Sequence, residues 1–293
     1  MTRRSSMLAV ALGACLPGGV HAADDAAADP QIELGEYLVH AGGCITCHTE
    51  DRDDAPPLAG GRPLESPFGT FYAPNITPDT ATGIGAWSDD DFVRAFHEGE
   101  SPDGDAYFPA FPYTAYTGVS RDDLLAIKAY LFSLEPVNKA NLEHDLPAFM
   151  SSRLAASIWR GRYFEPGRFR PDPGQSDEWN RGAYLVRHLG HCGECHTPRR
   201  TLGALQSDRE LAGNPEGPGD EKIPNITPHP DDGIGDWSIG DIEYYLDIGM
   251  LPDGDFAGSS MADVIDDNTS RLTREDRRAI ATYLKSLPAR ADE

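Results

Sequence analysis

The chain has 293 residues, long enough for two domains, and its 48 Asp and Glu against 25 Lys and Arg give a net charge of −23. That balance argues against nucleic acid and anionic membrane as partners. An acidic surface of this kind either solvates the chain or steers it toward a basic partner, and net charge alone does not separate the two.

Residues 1–22 read as a signal peptide. Arg3 and Arg4 precede an apolar run from Met7 to Leu16, Pro17-Gly18 breaks it, and Val20-His21-Ala22 offers a cleavage site. The mature protein is then expected in the periplasm, since no other stretch approaches the length of a membrane span. Leu12-Gly13-Ala14-Cys15 also matches a lipobox, which would leave a lipid on Cys15. The cysteine count argues against that: four of five cysteines fall in two later motifs, and the fifth lies in the segment to be removed.

The first motif is Cys44-Ile45-Thr46-Cys47-His48 and the second Cys192-Gly193-Glu194-Cys195-His196. Both read C-x-x-C-H, the attachment pattern of a c-type haem. Thiols three residues apart on a helical turn face one side and can add to the two vinyl groups of the porphyrin. The following histidine, His48 or His196, then offers a nitrogen to the iron. A redox pair or half of a zinc site would explain the cysteines but not the adjoining histidine. Two matches within matching flanks imply two covalently bound haem c groups.

An internal repeat sets the organisation. APNITPDTATGIGAWSDDDF at 73–92 returns as IPNITPHPDDGIGDWSIGDI at 223–242, and the match extends to Pro102-Asp103-Gly104-Asp105 and Pro252-Asp253-Gly254-Asp255. Upstream, Gly35-Glu36-Tyr37-Leu38-Val39 pairs with Gly182-Ala183-Tyr184-Leu185-Val186. Two copies mean a duplicated domain and not a solenoid. The expected boundaries are 31–140 and 179–290, joined by a linker over 141–178.

Each copy reads as a few short helices in loops. Ser88 with Asp91, Ser120 with Asp123, Ser238 with Asp241 and Thr273 with Asp276 place a hydroxyl N-cap three residues before a carboxylate. Leu124, Ile127, Leu131 and Leu134 form the buried stripe of the last helix in copy one; Ile280, Tyr283, Leu284 and Leu287 do so in copy two. Gly35 and Gly182 are expected to let these terminal helices approach closely, with Tyr130 and Tyr283 as the contacts. The linker holds Arg153, Arg160, Arg162, Arg168 and Arg170 but one acid, Glu165, between Met150 and Arg170. These arginines either pair with haem propionates and surface acids, which is the preferred reading, or form a docking patch.

On both C-x-x-C-H motifs, both NITP…GIG.W segments and Trp179-Asn180-Arg181-Gly182-Ala183-Tyr184-Leu185-Val186, the chain resembles the cytochrome c subunits of periplasmic alcohol and aldehyde dehydrogenases. The resemblance implies an all-α fold, two tandem class I cytochrome c domains, each wrapped around its haem. It implies electron transfer without catalysis, from a dehydrogenase to a downstream cytochrome or oxidase of the respiratory chain. Family members commonly carry three haems, against two motifs here.

In that family a methionine binds the far side of each iron, and Met261, seven residues after Gly254, matches the position in copy two. Met250 is its rival. The repeat puts Phe111 at the equivalent place in copy one, and phenylalanine cannot ligate iron. The first haem is then either five-coordinate or served by His97, His40, His144 or Met150. His97 itself is expected to be a surface side chain. The open position also admits an alternative, a peroxidase-like dihaem enzyme, although Pro109, Ala110, Phe111 and Pro112 offer no acid–base group. A gas sensor is a third reading, with no signalling domain for it to control.

Overall fold

The computed structural model describes residues 29–217 and 221–292. The expected signal peptide and Cys15 lie outside them. The described chain is mostly helical, and its core runs as one continuous apolar cluster through both repeat copies.

In copy one, helix α1 (Pro30–Ala41) starts from Asp29, whose carboxylate accepts from Gln31 N at 2.9 Å, with Pro30 in the first turn. After the short α2 (Cys44–His48) come α3 (Asp89–Glu98), α4 (Tyr113–Tyr116) and α5 (Arg121–Ser133). Helix α1 packs on α5 through Gly35, where a Cβ would sit 2.0 Å from the Ala126 carbonyl oxygen and 2.8 Å from Tyr130 Cβ. Only a residue without a side chain allows the two backbones so close.

Copy two repeats this arrangement after the linker helix α6 (Arg153–Tyr163). Its helices are α7 (Asp177–Tyr184), α8 (Gly193–His196), α9 (Ile239–Ile248), α10 (Ser259–Asp267) and α11 (Arg274–Ser286). At Gly182 the distances to the Ala279 oxygen and Tyr283 Cβ are again 2.0 and 2.8 Å. Ser88 and Ser238 head α3 and α9 with full capping boxes, and Ser120 and Thr273 cap α5 and α11. Leu124, Ile127, Leu131, Ile280, Tyr283 and Leu284 are buried, and Leu134 and Leu287 are partly so.

Between the entry helices and the motifs, the copies differ by one inserted residue. Gly35 and Gly182 stand 147 residues apart, whereas Cys44 and Cys192 stand 148 apart. In copy one α1 runs unbroken; in copy two α7 passes into a π-turn over Leu185–Leu189, which accommodates the extra residue without shifting the buried face.

One expectation is qualified and one corrected. The fold is mostly helical, as expected, with one short hairpin in which β1 (Pro63–Ser66) pairs antiparallel with β2 (Gly69–Tyr72). Gly69 takes a φ of 115° at the turn, the Ser66 hydroxyl bonds the Gly69 carbonyl at 2.7 Å, and Thr-Phe-Tyr favours extended backbone. This hairpin is too short to show alternation over a useful length. Secondly, His97 is not at the surface. It is 5% exposed, and its Nε2 donates to the Val119 carbonyl at 2.8 Å.

Candidate cofactor-attachment sites

Each motif enters from a tightly placed helix end. Gly43 takes a left-handed φ of 69° and starts α2, so that Cys44, Cys47 and His48 share one short helix. In copy two Cys192 lies in helical conformation immediately before α8, which carries Cys195 and His196. All four cysteines are unpaired. Burial pushes the Cys44 and Cys192 thiols up to about 12 and, with Glu194 and Cys47 adding to it, Cys195 up to about 11; burial raises Cys47 as well. Groups held protonated at neutral pH are poor redox nucleophiles. No cluster of three or more His, Cys, Asp or Glu among the described residues could hold a metal ion, so the zinc reading has no support either.

The histidines are fixed in the same way in both copies. His48 Nδ1 lies 2.7 Å from the Pro74 carbonyl and His196 Nδ1 2.8 Å from the Pro224 carbonyl. A carbonyl only accepts, so Nδ1 must carry the proton and Nε2 keeps its lone pair. Burial also lowers both imidazole pKa values, which favours the neutral ring a metal requires. Two thiols and one oriented neutral imidazole, present twice, fit the covalent haem that the motif implies.

The carbonyls are held by the NITP segments. Asn75 Oδ1 accepts from Thr77 N and Oγ1 at 2.9 and 2.7 Å, while its amide donates to the Val137 carbonyl at 2.7 Å. Asn225 does the same with Thr227 at 2.8 and 2.7 Å and donates to the Arg290 carbonyl at 2.6 Å. Between motif and segment, Gly60 N donates to the His48 carbonyl at 2.7 Å and Gly213 N to that of His196 at 2.8 Å. Leu58 and Leu211 adopt φ of 61° and 64°, rare for leucine, and both are 1% exposed. Thr49 and Thr197 hydroxyls accept from their amides at 3.1 and 3.0 Å and hold this strained turn.

The segments that carry Met261 and Phe111 differ between the copies. Gly104 and Gly254 make equivalent turns, with φ of 86° and 90°. Beyond them Met261 lies in the first turn of α10 and Phe111 just before α4, and both are partly buried against the core. The Phe111 ring sits 5.1 Å from Phe96, 5.5 Å from Tyr107 and 5.7 Å from Tyr116. Met250 joins Phe256 in an isolated bridge, and neither it nor Met150 is part of the core cluster. His144 Nδ1 accepts from Tyr72 N at 3.1 Å, so its neutral ring is protonated at Nε2 and has no lone pair to offer. His40 Nδ1 donates to the Asp267 carbonyl at 2.6 Å.

That last bond belongs to a brace that sequence reasoning missed. Thr46, inside the first motif, donates to Asn268 Oδ1 at 3.1 Å, and Arg62 pairs with Asp263 at 2.6 Å. Copy one thus grips the helix that bears Met261 of copy two. The residues that lead into the motifs also meet: the Gly42 carbonyl accepts from His191 Nε2 at 3.3 Å, and from Tyr116 OH at 2.6 Å. No spacing rule links residues more than 200 positions apart.

The linker arginines divide. Arg160 pairs with Glu100 at 2.8 Å and Arg168 with Glu98 at 3.1 Å, as expected for neutralisation of surface acids. Arg153 and Arg162 instead lie over the Phe108 and Tyr163 rings.

No protein-family model matches the chain. It is similar to a dihaem c-type cytochrome of Cereibacter sphaeroides, 45% identical over 262 residues, which cover 88% of this chain and 86% of that one. It is 40% identical to the gluconate 2-dehydrogenase cytochrome c subunit of Pantoea cypripedii over 97% of this chain, and 40% identical to the fructose dehydrogenase cytochrome subunit of Gluconobacter japonicus over 90%. Those alignments span 65% and 54% of the two subunits, which are longer proteins. With the attachment geometry repeated in both halves and a relative matched over most of both chains, this chain belongs to the dihaem c-type cytochromes.

Proposed function

We propose that the protein is the electron-carrying cytochrome of a periplasmic dehydrogenase, passing electrons to a downstream cytochrome or oxidase. Support comes from the dehydrogenase cytochrome subunits among its relatives. The single observation that carries the reading is the mirrored His48–Pro74 and His196–Pro224 pair, which leaves Nε2 of each motif histidine free to bind a metal. Residues 31–140 and 179–290 are assigned as two tandem class I cytochrome c domains, with 141–178 as the arginine-rich linker. Among the described residues no helix is long and apolar enough to cross a membrane.

In this reading Cys44 and Cys47 hold one haem, Cys192 and Cys195 the other, and His48 and His196 are the proximal ligands. Bound there, each group would supply a one-electron ferrous/ferric couple. Met261 would supply a second iron ligand in copy two, whereas the equivalent repeat position in copy one is Phe111, whose ring cannot ligate. A thioether donor favours a higher potential. Copy one is therefore the input side and copy two the output side. The protein holds each imidazole in one tautomer, keeps it neutral and surrounds the sites with apolar side chains. The peroxidase-like alternative finds no support among the relatives, and the ring neighbours of Phe111 are aromatic.

Mixing the purified haem-loaded protein with peroxide and, separately, with a dehydrogenase fraction from its own species tests this. Reduction by that fraction, with no peroxide turnover, is expected. Sustained turnover of peroxide with an electron donor would overturn the carrier reading.

A further inference from the structure

Helix α6 exposes side chains that such a surface normally hides. Phe149 just before it is 79% exposed, and Leu154 and Ile158 on one face of it are 69% and 64% exposed. Leu154, Ile158 and Arg162 follow one another at four-residue spacing, so they line a single stripe. Trp159 donates to the Leu202 carbonyl at 2.7 Å, which brings the exposed Leu202 beside the helix. An apolar cluster rimmed by polar groups marks an interaction surface, and aromatic residues and arginine are enriched in such surfaces.

The charge on this stripe says what fits it. Arg153 and Arg162 flank it, both are exposed, and among the described residues neither forms an ion pair with an acid. In a chain of net charge −23, cations left without carboxylates form a local basic island. Two copies of this chain would set arginine against arginine across the stripe. Anionic lipid would face the repulsion of the whole acidic body.

Position gives the island its use. Helix α6 lies on the copy-one loop that bears Phe111: Arg160 pairs with Glu100, Arg153 reaches the Ala106 carbonyl at 3.5 Å, and Phe164 packs on Tyr113 at 4.9 Å. We infer that the Leu154–Ile158 stripe, with Arg153 and Arg162, is the docking surface for the electron-donating dehydrogenase. The partner face it fits has an apolar centre ringed by carboxylates. The inference rests on the carrier reading and adds where the donor binds and by what chemistry.

The test uses the haem-loaded full chain and a dehydrogenase fraction from cells of its own species that lack this gene, supplied with the alcohol or sugar they oxidise. Reduction of the unmutated protein should slow as salt rises. Arg153→Glu/Arg162→Glu should reduce the bimolecular rate about tenfold or more and flatten its salt dependence, with unchanged reduction by dithionite. Ile158→Asp alone should also slow it, and serves if the double variant fails to fold. Equal rates for the variants and the unmutated chain would overturn the docking surface while leaving the carrier reading intact. No reduction even of the unmutated chain would overturn the carrier reading, and the docking surface with it. A photo-crosslinker at Ile158 that captures a second copy of this chain, or phosphatidylglycerol, would reassign the stripe and sink the proposal.

Discussion

The Tyr37 hydroxyl of the first repeat donates to Asp276 of the second at 2.6 Å, and the bond is reciprocated by Tyr184 of the second repeat on Asp123 of the first. Each tyrosine hydroxyl also accepts from the backbone amide at the N-cap of the other copy's terminal helix, Thr273 for Tyr37 and Ser120 for Tyr184, both at 3.2 Å. The two copies therefore clasp each other as two subunits of a symmetric dimer would. Asp276 keeps a second partner, Arg181, at 2.6 and 2.8 Å, whereas Asp123 has no ion pair among the described residues. Tyr184→Phe should therefore cost about 2 kcal/mol and Tyr37→Phe about 1 kcal/mol, read from denaturant midpoints. Equal and negligible losses would show that the clasp does not hold the copies together.

The same clasp predicts an acid-sensitive step. Burial pushes the Asp276 carboxyl up, but hydrogen bonds from Arg181 and Tyr37 outweigh it and hold the pKa below the ordinary 3.8. A group depressed in the folded state stabilises the protein above its unfolded pKa and loses that contribution as pH falls through the folded one. Asp276→Asn should flatten the loss of stability below about pH 4 relative to the unmutated chain. An identical acid limb in both would remove Asp276 from the account.

Close helix crossing gives the next prediction. Gly35→Ala and Gly182→Ala would each drive a methyl into a backbone carbonyl 2.0 Å away, which no side-chain rotation relieves. About 3 kcal/mol or more of destabilisation is expected for each. Gly104→Ala and Gly254→Ala meet nothing within 4 Å but sit at φ of 86° and 90°, so only backbone strain of about 1–2 kcal/mol applies. Thermal midpoints of the four variants should fall into these two groups.

Those glycines were legible in the sequence, as were the four N-caps, because each rests on local spacing or on comparison of the two copies. The one-residue difference in offset was also there to be read, and it marks the π-turn. What the sequence concealed is set by register between distant loops. Nothing near His48 indicates that the Pro74 carbonyl will meet its Nδ1. Nothing near His97 indicates that Val119 will cover it, and its repeat counterpart, Asp247, points to a surface position. Helix α6 was obscured because it has no counterpart in the repeat and buries only Ala156 among its own residues.

The brace between copies extends the ligand assignment. Thr46 lies inside the first attachment motif and Arg62 follows it, yet they hold Asn268 and Asp263 at and on the helix that carries Met261. Thr46→Val/Arg62→Gln should loosen α10 and shift the potential of copy two more than that of copy one, although the Arg62 charge also reaches Cys47. Stepwise potentiometry that found copy one shifted instead would show the brace serving the site it adjoins.

Axial ligation is the sharpest test of the whole assignment. Met261 packs against the core from the first turn of a nine-residue helix, and Phe111, at the equivalent repeat position, packs against it from just before α4 among Phe96, Tyr107 and Tyr116. Only one of the two side chains has an atom that binds iron. The ferric protein should therefore show the weak far-red band of iron–thioether bonding at half the strength expected for two such sites. Met261→Ala should abolish the band and lower one potential. Met250→Ala should leave both unchanged, because that residue lies in a bridge to Phe256 outside the core cluster. Phe111→Met should raise the band only if the ring cluster relaxes enough to let the sulfur reach inward, and the absence of a helix there predicts a partial rise. Carbon monoxide should bind the reduced copy-one site readily, since His97 and His144 are committed to Val119 and Tyr72. A full-strength band in the unmutated protein would mean that Met150 or Met250 serves copy one, and the equivalence of Met261 with Phe111 would then no longer describe the ligands.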